Sequence, residues 1–131
     1  MIGRRILSDK RGSTTVDFAF ALPVLLILML GTIQMGQYLH ISGALRHAVG
    51  EGVRLAKVDP DATAERIKRE VRSELVAMDK DGLLGVKVER GTTGGASYSR
   101  IWVKYEMKPI MPLIPVPPVT VTQEKTVWLP Y

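Results

Sequence analysis

From Phe18 to Leu39 the chain reads FAFALPVLLILMLGTIQMGQYL, and no Asp, Glu, Lys or Arg occurs between Asp17 and Arg46. As an α-helix rising about 1.5 Å per residue, that run reaches roughly 33 Å, enough to cross a hydrocarbon core of about 30 Å. A core helix of a soluble protein would show the same composition, but 131 residues make a domain too small to surround a helix that is apolar on every side. The run is therefore read as a transmembrane span, with Phe18 and Leu39 at its ends. Pro23 lies near its start, where lipid-embedded helices tolerate proline. Ahead of the span, Arg4, Arg5, Lys10 and Arg11 stand against Asp9 alone. Basic flanks stay on the cytoplasmic side, so the expected topology is N-terminus inside and everything after the span outside.

Helical periodicity continues past the span through Tyr38, Ile41, Leu45, Ala48, Gly52, Leu55 and Ala56, spaced three and four apart. One helix is expected from about Thr14 to Val58, stopped by Asp59-Pro60-Asp61, which also supplies a capping carboxylate for the next element. Its second half carries a face of small residues, among them Gly43, Ala48, Gly52 and Ala56, that admits another backbone at close range. Next, Ile67, Val71, Leu75 and Met78 mark the apolar face of an amphipathic helix expected to end near Gly82. Its Arg and Lys residues read as a solvated face with mixed charges.

From Leu83 the period becomes two. Val86 and Val88, then Ile101, Val103, Tyr105 and Met107, then Val119, Val121 and Val127 alternate with polar or charged residues. Three antiparallel strands packed on the amphipathic helix are the simplest solution, with Gly91 to Ser97 as a hairpin loop. Lys108 to Pro118 holds five prolines and is expected to be extended and semi-rigid. The apolar residues between those prolines fit either a cover over the sheet edge or a docking surface. The fold class is α+β: a long transmembrane helix continuing outward, a second helix, and a small three-stranded antiparallel sheet. The segments are a basic leader, 1–12, a long helix, 13–58, with the span at 18–39, and an outer α+β domain, 59–131.

Catalytic patterns are missing from this reading. The chain has no cysteine, which excludes a disulfide scaffold and a thiolate centre. His40 and His47 lie seven apart on one helix face, with no carboxylate spaced to complete a metal triad, so both are read as structural. The glycines of 91–95 lack the Lys and following helix of a phosphate loop. No catalytic, cofactor-binding or metal-binding residue is assigned, and no cofactor is expected. The net charge of +5 owes three units to the leader alone, which leaves no nucleic-acid footprint on the outer domain.

The most specific pattern is the junction Lys10-Arg11-Gly12-Ser13-Thr14-Thr15-Val16-Asp17-Phe18. A secretory signal is cut after its apolar region, whereas a basic leader ending in Gly, then an acid and an aromatic at the start of a long span, has the layout of a prepilin site cut before it. An acid at the edge of the hydrocarbon region is costly and calls for a partner. This junction, the Leu22-Pro23 of the span and the downstream Glu51-Gly52-Val53-Arg54 together resemble the TadE-like pseudopilins of tight-adherence (Flp, type IVb) pilus systems.

The resemblance covers roughly residues 11 to 57. It implies cleavage between Gly12 and Ser13 by a prepilin peptidase, with Asp17 and Phe18 as the processing and assembly motif. The implied partners are other pilins or pseudopilins and assembly machinery, met through the helix, together with membrane lipid. The implied place is the bacterial inner membrane, single-pass, with the C-terminal domain in the periplasm, and incorporation into an extracellular pilus is compatible with it. Family members usually carry Glu where this chain has Asp17, one methylene shorter. Two other readings fit parts of the sequence: an uncleaved single-pass anchor displaying a binding domain, and a secreted protein cut after Ala44.

Overall fold

The structure is a computed structural model that describes residues 10–110 and 115–129. Arg4, Arg5 and Asp9 of the leader, and the stretch 111–114 of the proline-rich segment, lie outside the described residues. Helix α1 spans Lys10–Val58 and contains Pro23 within it. Helix α2 spans Ala64–Glu74, a 3-10 turn occupies Lys80–Gly82, and three strands follow, β1 at Leu83–Thr93, β2 at Ala96–Met107 and β3 at Val119–Trp128. The expected α+β class with one long apolar helix, a second helix and three antiparallel strands is what the chain adopts.

Two compact units divide the chain, Met1–Met35 and Gly36–Tyr131. In the first, the described side chains of α1 are almost all exposed, including Val16, Phe18, Phe20, Leu25 and Leu28. Apolar groups at full exposure are costly in water. Within α1 an 18-residue window of mean hydropathy 2.3 has none of its residues buried, so the helix is long and apolar enough to cross a membrane. Such a helix fits a single-pass membrane anchor. Thr32, late in the apolar run, satisfies its hydroxyl locally, donating to the Leu28 carbonyl at 2.9 Å.

The second unit is a sheet of order β1-β2-β3 with α1 and α2 packed on one face. Alternation in β2 buries Ser99, Ile101, Val103, Tyr105 and Met107 on that face. Against them lie Leu45, Ala48, Val49, Val53 and Ala56 of α1, Ile67 and Val71 of α2, and Val86, Val121 and Val127 of the outer strands. The register pairs Val86 with Val103 and Tyr105 with Val121, so buried residues align in rows across the sheet.

Three local expectations change. Helix α2 ends at Glu74 rather than near Gly82, because the Leu75 N–H turns back to the Arg72 carbonyl and the Val76 N–H to that of Ser73. Asp79 then accepts from the Asp81 N–H at 3.1 Å and starts the 3-10 turn that delivers Leu83 to the sheet. The cap of α2 is Thr63, whose hydroxyl accepts from the Arg66 N–H at 3.2 Å, while Asp59 pairs instead with the Arg66 guanidinium at 2.5 Å. The hairpin loop contracts to Gly94 and Gly95, with φ of +61° and +81°. Positive φ at both central positions is the geometry of a type I′ turn, whose twist matches paired strands, so β1 and β2 stay paired as far as Thr93 and Ala96.

Candidate assembly helix

Helix α1 carries nearly every residue singled out from sequence. Its backbone is already helical at Lys10, so Gly12 and Ser13 fall in its opening turns. Asp17 and Phe18 are both exposed on the same helix, one turn further on, and Pro23 follows within the continuous helix. From Phe18 to Leu39 the exposed side chains are apolar apart from Thr32 and Gln37.

Beyond Gly36 the helix becomes one-sided. Of the small residues, Ala48, Gly52 and Ala56 come together in the core of the second unit, whereas Gly43 is exposed with open space around it. Gly52 has the tightest reason to be small: a Cβ there would lie 2.5 Å from Val71 Cγ2 and 3.1 Å from Ile101 Cδ1. The close backbone approach that this face permits is thus used by the chain's own α2 and β2. The Glu51-Gly52-Val53-Arg54 tetrapeptide divides cleanly. Gly52 and Val53 are buried, whereas Glu51 and Arg54 are more accessible and pair with each other, Arg54 Nε donating to Glu51 Oε2 at 2.6 Å. That hydrogen bond, with the attraction of the same carboxylate, raises the Arg54 pKa above its ordinary value.

Other contacts were not legible as functional positions. His47 Nε2 lies 3.4 Å from Glu74 Oε2, joining α1 to the end of α2. Arg90 on β1 donates from its two terminal nitrogens to the carbonyls of Ala62 and Pro60, each at 2.5 Å, and so ties the α1–α2 connection to the sheet. His40 borders a cleft of about 430 Å³ with Gly36, Gln37, Asp79, Tyr105 and Lys108. Burial, and secondarily the Asp79 carboxylate, hold the Tyr105 hydroxyl above its usual pKa. Among the described residues no group of three His, Cys, Asp or Glu side chains is arranged to hold a metal.

Residues 12–54 match the family model of TadE-like proteins. The TadE-like segment begins at Gly12, includes Asp17, Phe18 and Pro23, and ends at Arg54, the residue paired with Glu51. It stops before α2 and the sheet. No curated protein and no solved structure matches the chain.

Proposed function

We propose that this chain is a minor pseudopilin of a Flp/type IVb tight-adherence pilus system, processed between Gly12 and Ser13 by a prepilin peptidase. The observation that carries the reading is the TadE-like match over residues 12–54, which starts at the proposed cleavage position and covers the exposed apolar part of α1 and most of its packed part. In this reading the leader sets the topology and is then removed, taking the net charge from +5 to +2. The span from Phe18 to Leu39 holds the mature chain in the inner membrane, single-pass, with the second unit in the periplasm. The helix meets other pilins or pseudopilins and assembly machinery, and Asp17, at the membrane edge, pairs with a cationic group of a neighbouring subunit. No catalytic step is assigned to the chain. Its task is to enter an assembly.

Intact mass of the membrane-bound protein, from cells with an active prepilin peptidase, tests the processing step. The expected chain begins at Ser13, and Gly12→Val is expected to leave residues 1–12 attached. A mature protein that retains Met1 in such cells overturns the reading and leaves an uncleaved single-pass anchor.

A further inference from the structure

Seven large apolar residues beyond Leu39 are exposed among the described residues: Val58, Val76, Leu84, Ile110, Val116, Val119 and Trp128. Their distribution is uneven. The register pairs Val119 with Met107 and Leu83 with Tyr105, so β2 ends where β1 and β3 begin. Val119 and Leu84 sit at that end of the sheet, Ile110 and Val116 are each three residues from a strand terminus there, and Val76 borders a recess with Leu83 and Tyr105. Five of the seven therefore gather at one end, while Trp128, whose register partner is Tyr98, lies towards the other.

That end is also where α1 enters the unit. Gly36, Gln37, His40 and Ile41 line one cleft with Tyr105, Met107 and Lys108. Gly36 to Leu39 are at once the first residues of the compact unit and the last of the apolar run. A run of roughly 33 Å slightly exceeds a hydrocarbon core of about 30 Å, so its last residues reach the boundary with the lipid headgroups. Tyr38, exposed on that turn, has the amphipathic ring enriched at such a boundary.

We propose that this end of the α+β unit rests in the headgroup layer of the bilayer that holds the apolar run, with Val76, Leu84, Ile110, Val116 and Val119 contacting lipid. The proposal rests on Phe18–Leu39 being a span. It adds a second membrane contact, made by the folded domain itself. The charges at this end have both signs, Lys80 and Lys108 against Asp79, Asp81 and Glu106. Attraction to anionic lipid therefore nearly cancels, and burial of apolar surface drives the contact. Zwitterionic lipid is sufficient.

The chain has no cysteine, so single Cys substitutions take a fluorophore at chosen positions. The full chain is labelled at Leu84→Cys, Val116→Cys, Thr92→Cys or Leu28→Cys and reconstituted in phosphatidylcholine vesicles. A nitroxide at the headgroup is expected to remove most of the emission at positions 84 and 116 and little at position 92, equally in low and high salt. A nitroxide deep in the acyl chain is expected to quench position 28. Quenching at 28 with none at 84 and 116 overturns the proposal and leaves the span intact. No quenching at 28 overturns the span, and the proposal with it. Shielding of 84 and 116 from aqueous iodide without lipid quenching assigns this surface to a second protein copy and overturns the lipid contact, and quenching that salt abolishes overturns its apolar basis.

Discussion

At the residue scale, Gly43 and Gly52 are the same residue type on the same helix with opposite requirements. A Cβ at Gly43 meets nothing within 4 Å, whereas at Gly52 it meets Val71 and Ile101. Gly43→Ala is expected to stabilise the chain by about 0.5–1 kcal/mol, because Ala loses less conformational freedom in a helix. Gly52→Val is expected to destabilise it by about 1–3 kcal/mol through overpacking. Thermal unfolding of both variants in detergent, followed by circular dichroism, reads the two signs directly. Tyr105 makes a second case. Its pKa is raised in the folded state above the ordinary 10.0, so the folded chain holds the proton more tightly than the unfolded one. Its stabilising contribution is complete below pH 10.0 and is lost as pH rises through the higher folded value. Tyr105→Phe is accordingly expected to flatten the alkaline part of a stability-against-pH curve, measured by denaturant unfolding at stepped pH.

At the scale of elements, α1 joins a surface apolar on every side to one apolar on a single side, and the change comes near Gly36. Beyond Val58 its direction of exit is held by few groups, of which Arg90 is the most specific, since it bonds two carbonyls of the α1–α2 connection. Arg90→Ala is expected to cost about 1.5 kcal/mol, at the lower end for charge-assisted hydrogen bonds because Arg90 is exposed. Faster amide exchange confined to residues 59–63 in that variant would locate the loss. The α2 boundary was misplaced from sequence because Leu75 and Met78 continue the helical spacing after the helix has ended. Both still face the core from the turn that follows. Apolar period reports which residues are buried, and a turn that keeps burying them leaves the period unbroken.

For the whole molecule, the core of the α+β unit is incomplete without α1. Leu45, Ala48, Val49, Val53 and Ala56 supply one side of the cluster that covers the sheet. A chain beginning at Gly36 is expected to unfold cooperatively in denaturant, and one beginning at Ala62 to show no cooperative transition, since the buried face of β2 would stand open. Small domains have little apolar surface to spare.

The long apolar helix and the α+β class were legible in the sequence because each is carried by local order: the length of an uncharged run and the spacing of apolar residues. Contacts between distant segments have no such local signature. That Gly52 faces Val71 and Ile101 while Gly43 faces open space, that Arg90 reaches back to Pro60, and that exposed apolar residues from β1, β3 and the turns collect at one end of the sheet depend on strand register and on the packing of the second half of α1. Those were decided only in three dimensions, where residues far apart in the chain compete for the same space.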